Sequence, residues 1–402
     1  MRIGLSLRGR YDGTLDALAE WLEARDDDPA PRVERHEGAL TVDVHPAAAP
    51  VRVELASGAI ALFATTVTAG PGMHRHVVEL AEAMPGVRWS AGGDETGWRD
   101  ARDDEALEGV FLDWLGAAVA QIVELHAEGM AGFALAMPAG IAYEHDALVA
   151  TQLGPRDAAW LERARVAPEE AIDLFPWWSA GRDAAYYRDL ARCRMWQEIR
   201  WRPPLTDAER EAQDACVTWI EKAHGLDPEL PLPWAEQSEL LTYLEEDSLR
   251  ATRAHLKAQE LAPPEIGYRR RPVRVEVSGG WHLTVPGELA ERWDDRGTWV
   301  AWDETRSVFF NSFTAQGEGE APTTEQTLAS MPPLEGDEIL ELSAGSLRGY
   351  AAVTEVEEEG RPMHRLEAHA AIGPHAAIGT MVFVEASDRD WALSTWGSLG
   401  RR

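Results

Sequence analysis

Residues 175–219 read FPWWSAGRDAAYYRDLARCRMWQEIRWRPPLTDAEREAQDACVTW, and they place eight aromatic side chains and both cysteines on two helices and their lead-in. Over residues 183–202 the apolar positions Tyr187, Ala191, Met195 and Ile199 recur every four residues, with Leu190 beside them, which is the period of a helix face. Pro203 and Pro204 stop that helix, because proline cannot donate to it and pushes Arg202 out of the helical region. Thr206 then opens a second helix, its hydroxyl capping free amides while Glu209 reaches back. Its buried face is expected at Ala212, Ala215, Cys216, Trp219, Ile220 and Ala223, and Gly225 and Pro228 close it. Trp177, Trp178, Tyr186, Trp196 and Trp201 are read as the lining of a groove for a partner peptide. The same residues suit a core, since large aromatics contribute strongly to cores and interfaces alike.

The chain has 402 residues, 45% hydrophobic and 17 of them tryptophan, more than one ordinary core holds, so two or three globular domains are expected. Its formal charge of −31 sets it against nucleic acid or an anionic membrane as the main partner, because both would be repelled. Cys193 and Cys216 are too few for a disulfide scaffold or a four-cysteine zinc site. The opening MRIGLSLRG lacks the pattern of a signal peptide, and no stretch is read as long enough to span a membrane, the most apolar one, residues 110–123, being interrupted by Asp113. A cytoplasmic location is the expectation.

Upstream, residues 1–150 read as an α+β layer, a sheet covered by helices. Ile3, Leu5 and Leu7 alternate along a strand, and Thr14 caps a helix carrying Leu15, Leu18, Trp21 and Leu22. Strands are expected at 39–44, 51–55, 59–67 and 133–137, with Ser57-Gly58 as a hairpin turn. Gly70-Pro71-Gly72 turns into a helix bearing Val77, Leu80, Ala81 and Met84. Such a turn can offer amides to an anion, but the chain has no Walker lysine and no complete GxGxxG. His74 and His76 are two apart at the helix start, so their rings point in different directions. Residues 89–104 read as a solvated acidic loop containing Asp94, Glu95, Asp100, Asp103 and Asp104. Residues 107–126 read as a helix with Phe111, Leu115 and Ile122 on its apolar side.

Downstream, residues 234–261 read as one helix carrying Leu240, Leu241, Leu244, Leu249 and Leu256. Composition changes at Pro263 and Pro264 and the basic cluster Arg269 to Arg271. The expected organisation is an α+β fold in three parts: a sheet-and-helix domain at 1–150, a helical middle domain at 151–262 and an α/β sandwich at 268–402.

In that last part Trp281 and Pro286 lie in an opening strand, residues 323–328 form a short Thr-rich helix, and Gly379-Thr380 fall in a late strand. This order resembles the PsbP and DcrB-like sandwich superfamily. The resemblance covers about the last third of the chain and implies a non-catalytic domain that binds other proteins.

The chain contains no GxSxG, no HExxH and no cysteine in a catalytic motif, which weighs toward binding rather than catalysis. The reading is a non-catalytic, cytoplasmic bacterial adaptor, chaperone or immunity-type protein whose partner is another protein, with no cofactor and no metal. The alternative is a hydrolase or metal-dependent enzyme built on the turn from Gly70 to His76. That alternative requires His74, His76 and a carboxylate such as Asp94 to converge in one pocket.

Overall fold

Alternating apolar residues build the N-terminal sheet. The computed structural model describes residues 3–137, 140–259, 261–316, 321–336, 339–358 and 360–401; Arg2 and Glu338, expected at strand starts, lie outside them. Strand β1 (Gly4–Arg10) is followed by helix α1 (Leu15–Glu23), capped by Thr14, and by strands β2 (Arg32–His36), β3 (Ala39–Asp43), β4 (Val51–Ala56) and β5 (Ala59–Thr65). Ser57 and Gly58 both take positive φ, 51° and 78°, as a two-residue hairpin requires. Then come α2 (Pro71–Ala83), β6 (Arg88–Asp94), α3 (Trp98–Ala101) and α4 (Asp104–Ala127). The six strands form an antiparallel sheet in the order β2-β3-β4-β5-β1-β6. One face carries the buried Leu5, Leu7, Leu40, Val42, Val51, Val53 and Leu62, and α1 and α2 pack on the sheet.

Two expectations change here. Residues 89–104 are not a loop: the chain pairs as β6 along β1 and then forms α3, with Gly92 at φ 116° where a Cβ would meet the Ser6 carbonyl at 2.1 Å. Helix α4, with a mean hydropathy of 1.5 over its most apolar 18 residues, is long and apolar enough to cross a membrane by length and composition, since the single Asp113 does not interrupt it. It nevertheless buries Leu107, Phe111, Leu115, Val119 and Ile122 inside the protein.

The middle of the chain adds β7 (Phe133–Leu135), β8 (Ile141–Tyr143), β9 (Val149–Thr151), α5 (Ala158–Val166), α6 (Ala184–Gln197), α7 (Asp207–Leu226), α8 (Trp234–Tyr243) and α9 (Leu249–Ala258). Helix α6 ends at Gln197, five residues before Arg202, and beyond it Trp201 takes φ 46° with the Arg270 guanidinium 3.7 Å from its ring. Thr206 does cap α7, accepting from the Glu209 amide at 3.2 Å. The single helix expected over 234–261 is two: Glu245 adopts φ 56° and Ser248 caps a new start. Ala251 and Ala254 are the buried side of α9, leaving Leu249 at 90% and Leu256 at 59% exposure.

The chain condenses into two compact units. One comprises Met1–Pro138, His145–Ile199 and Arg210–Gly267, the other Ala139–Glu144, Arg200–Glu209 and Tyr268–Arg402. Residues assigned by sequence to an N-terminal and a middle domain thus share the first unit.

The second unit continues with β10 (Val273–Glu276), β11 (Trp281–Val285), β12 (Ala290–Trp293), β13 (Trp299–Trp302), β14 (Arg306–Thr314), α10 (Thr324–Ala329), β15 (Ile339–Ala344), β16 (Leu347–Glu358), β17 (Arg361–Ile372), β18 (His375–Phe383), α11 (Arg389–Gly397) and β19 (Gly400–Arg401). These make a seven-stranded sheet, β12-β13-β14-β18-β17-β16-β15, and a four-stranded one, β19-β11-β10-β8. Trp281, Leu283 and Val285 of the smaller sheet, Val308, Phe310, Leu366 and Met381 of the larger, and Trp396 of α11 share one core. A capping box at Thr323 and Gln326 starts α10. The protein is therefore a mixed α+β, multidomain fold.

Candidate functional site

The aromatic segment of the first unit is built around Trp177. Its amide donates to the Ala69 carbonyl at 2.9 Å, and its carbonyl accepts from the Gly72 amide at 3.0 Å. The ring lies so close to α2 that a Cβ on Gly72 would come within 2.2 Å of it, and Gly70, at φ 112°, would meet the Trp177 carbonyl at 2.6 Å. The Gly70-Pro71-Gly72 turn thus seats a tryptophan, and the Gly72 amide that an anion would use is already spent.

Around Trp177 stand Tyr186 at 4.6 Å between ring centroids, His76 at 5.3 Å and His45 at 6.0 Å. Trp177 is 2% and Tyr186 1% exposed. Burial, reinforced by Arg194 and His76, pushes the His45 imidazole down to about 3. Burial and Arg182 push His76 down to about 4, with Asp27 opposing. His45 is neutral at pH 7, and its Nδ1 accepts from the Ala47 amide, so the proton sits on Nε2. His45 Nε2, Trp177 Nε1 and the Tyr186 hydroxyl are buried with no hydrogen-bond partner of normal geometry among the described residues. Burial also raises the Tyr186 phenol. At the edge, Arg25 and Arg182 both pair with Asp27, while Tyr187 donates to Asp28 at 3.0 Å and Lys222 pairs with the same carboxylate.

The other predicted residues are equally engaged in packing. Trp178 is partly buried, its ring tilted 37° to that of Phe175 at 5.5 Å. Trp196 is partly buried against Gly154, whose φ of 108° and 2.7 Å approach to the indole admit no side chain. Trp201 is 8% exposed and belongs to the second unit. These five residues do not line one open groove: three are buried, and Trp201 lies in a different unit from the rest. Cys193 and Cys216 are buried free thiols, both pushed up by burial, Cys216 to about 12, which makes them poor nucleophiles.

His74 has a separate role. Its Nε2 meets Asp94 Oδ1 at 2.9 Å and its Nδ1 meets Thr66 Oγ1 at 2.9 Å, with His74 and Thr66 each at 0% exposure. Burial alone would raise the Asp94 carboxyl, but hydrogen bonds from His74, the Arg99 amide and Thr96 hold it well below the usual carboxylate range. The carboxylate only accepts, so the proton on that edge belongs to His74 Nε2. A hydroxyl, an imidazole and an aspartate in series resemble a catalytic relay, yet no substrate reaches a fully buried hydroxyl. The relay clamps α2 to β6 and the end of β5. His76 points away from it, toward Trp177 and Asp27, so the three groups required by the enzyme alternative do not meet. Two further acids of that segment are occupied, Asp103 capping α4 and Asp104 accepting from Arg75 and Trp98.

The exposed aromatic surface is elsewhere. In the second unit Phe309 and Phe313 of β14, Tyr350 of β16 and Ile339 of β15 are 40%, 45%, 41% and 47% exposed. Strand register puts them on one face: Phe309 lies opposite Thr380, then Glu367, Ala352 and Ile339, while Tyr350 lies opposite His369 and Glu341. Helix α10 packs on β16, β17 and β18, with Thr327 donating to the Gly373 carbonyl at 2.8 Å. The sequence signal for this face was the alternation in RSVFFNSF, where Val308 and Phe310 point inward and leave Phe309 outward.

No known protein family and no curated protein matches the chain. Among solved structures it is similar to a crystal structure from Bacteroides thetaiotaomicron at 15% identity and a TM-score of 0.25, over 31% of this chain and 45% of that one. The chain thus spans less than half the length of that structure.

Proposed function

We propose that this is a non-catalytic protein-binding protein, of the adaptor, chaperone or immunity type, that engages its partner through the outer face of the seven-stranded sheet. The observation that carries this reading is the exposure of Phe309, Phe313, Tyr350 and Ile339 on that face, the phenylalanines on β14 and the others on β15 and β16, with the buried Ala352 between Phe309 and Ile339. Large apolar side chains gathered on one open face mark an interaction surface. The partner is a protein segment with an apolar centre and basic flanks. Charge is the reason: Glu341 lies opposite Tyr350, Glu367 is already paired with Arg365, and the net charge of −31 repels a second copy of this chain as it attracts a basic partner. The reading keeps the protein in the cytoplasm and its last third as a PsbP- and DcrB-like sandwich.

The test is site-specific photo-crosslinking in cells from a photoreactive phenylalanine at position 309 or 350, with the still more exposed Leu249 of the first unit as the control. The expected result is one basic protein joined from both positions and not from 249, whose reconstituted complex weakens at least about tenfold, roughly 1.4 kcal/mol, on Phe309→Asp. Equal yields from all three positions, or an acidic partner, would overturn the reading.

A further inference from the structure

On the opposite, core-facing side of the same sheet, the structure assigns a second site: a binding cleft for a small organic cation with an apolar body. The cleft has a volume of about 450 Å³ and is lined by Leu340, Val353, Glu355, His364, Phe383, Ala386 and Arg389. That volume falls within the range of small-molecule sites, roughly 300–1,000 Å³. Its floor follows from register. Phe383, His364 and Glu355 are directly opposite one another on β18, β17 and β16, and Val353 and Leu340 continue the apolar surface toward the sheet edge. The lead-in to α11 supplies the wall.

The chemistry of the lining selects the ligand. Phe383 is fully buried, held by the Trp391 edge at 6.4 Å, and the His364 ring stacks on it at 5.2 Å and 20°, so the floor is a rigid aromatic surface. The side chains of Glu355 and His364 have no hydrogen bond or ion pair among the described residues. Arg389, by contrast, has an interaction of its own. The carboxylate that faces the cleft unpaired is therefore Glu355, and it sits at one end of an apolar floor. An ammonium group at Glu355 with its hydrocarbon body over Leu340, Val353 and the His364 ring, which Phe383 backs from beneath, satisfies both features. The net charge of −31 acts in the same direction, concentrating cations and excluding carboxylates.

Calorimetric titration of the full chain with 2-phenylethylamine, 2-phenylethanol and phenylacetate separates the contributions. The amine is expected to bind at one saturable site, tighter than the alcohol, with phenylacetate weakest. Glu355→Gln should weaken the amine about threefold and leave the alcohol unchanged, because it removes one exposed charge pair and no apolar surface. Val353→Trp, which fills the floor, should abolish both. Phenylacetate binding as tightly as the amine, an amine affinity indifferent to Glu355→Gln, retention of binding in Val353→Trp, or no saturable site for any probe would each overturn the assignment. The site is independent of the protein-docking face: loss of crosslinks from position 309 leaves it standing, and the reverse.

Discussion

The aromatic residues of the two units have opposite fates. In the first unit Trp177 and Tyr186 are sealed among His45, His76 and the turn at Gly72, and their burial holds a helix, a loop and a turn together. In the second, Phe309 and Tyr350 stand open on a sheet face whose other side carries the core of that unit. The same residue type stabilises in one place and is left available in the other. What decides is whether a second layer covers the face: α1 and α2 pack over the first sheet, whereas the outer side of the second carries a helix of only six residues. Aromatic density along a sequence is therefore a guide to binding only where the layer count leaves a face bare.

The sharpest way to break this contrast is Trp177→Ala. It should destabilise the first unit by about 3–5 kcal/mol, the range for emptying a buried tryptophan site. Chemical denaturation followed by far-UV circular dichroism measures it; a loss below about 1 kcal/mol would mean that the hub is not structural.

A smaller effect is expected from Asp94→Asn. The amide keeps the shape but not the charge that His74 Nε2, the Arg99 amide and Thr96 stabilise, so about 1.5–3 kcal/mol should be lost. Because the folded carboxyl lies below its unfolded value, its contribution is complete above the unfolded value of about 4 and disappears as pH falls through the folded one. Denaturation of the wild type and Asp94→Asn should therefore converge in strong acid.

The histidines act at milder pH. His45 and His76 have folded values near 3 and 4, below an unfolded value of about 6.5, so the unfolded chain binds more protons between pH 6.5 and 4. Stability is complete above pH 6.5 and falls with pH by about 1.4 kcal/mol per unit for each histidine. His45→Asn should halve that slope, since an asparagine oxygen can still accept the Ala47 amide and does not titrate. An unchanged slope would show that His45 is not protonated on unfolding alone.

The sequence made the elements legible where one periodicity acted without competition. Thr206 and Thr323 signal helix starts through their own hydroxyls, and Ser57-Gly58 forces a hairpin. It misread elements whose conformation is imposed from far along the chain. Arg88 to Asp94 is polar and glycine-rich, yet it pairs because β1 presents a free edge; Trp201 falls outside its expected helix, with Arg270, 69 positions later, over its ring. The site was harder still. FPWWSAGRDAAYY looks like a binding segment because nothing local shows that Gly70 and Gly72 make room for its indole. The open face looked ordinary because its aromatics are thinly spread, Phe309 and Phe313 four apart on β14 and Tyr350 alone on β16.

The last test bears on the open face, where the expected stability change is close to zero. Phe309→Ser with Tyr350→Ser removes two rings about 40% exposed, and substitutions at such surface positions usually stay within about 0.5 kcal/mol of neutral. Serine lowers strand preference slightly, so threonine at both positions serves as the control that keeps β-branching. If these rings are held for a partner, both double variants fold with wild-type midpoints while the complex is lost. If either variant falls by more than about 2 kcal/mol, the rings pack on α10 or on one another and are structural like those around Trp177, and the distinction between the two units fails.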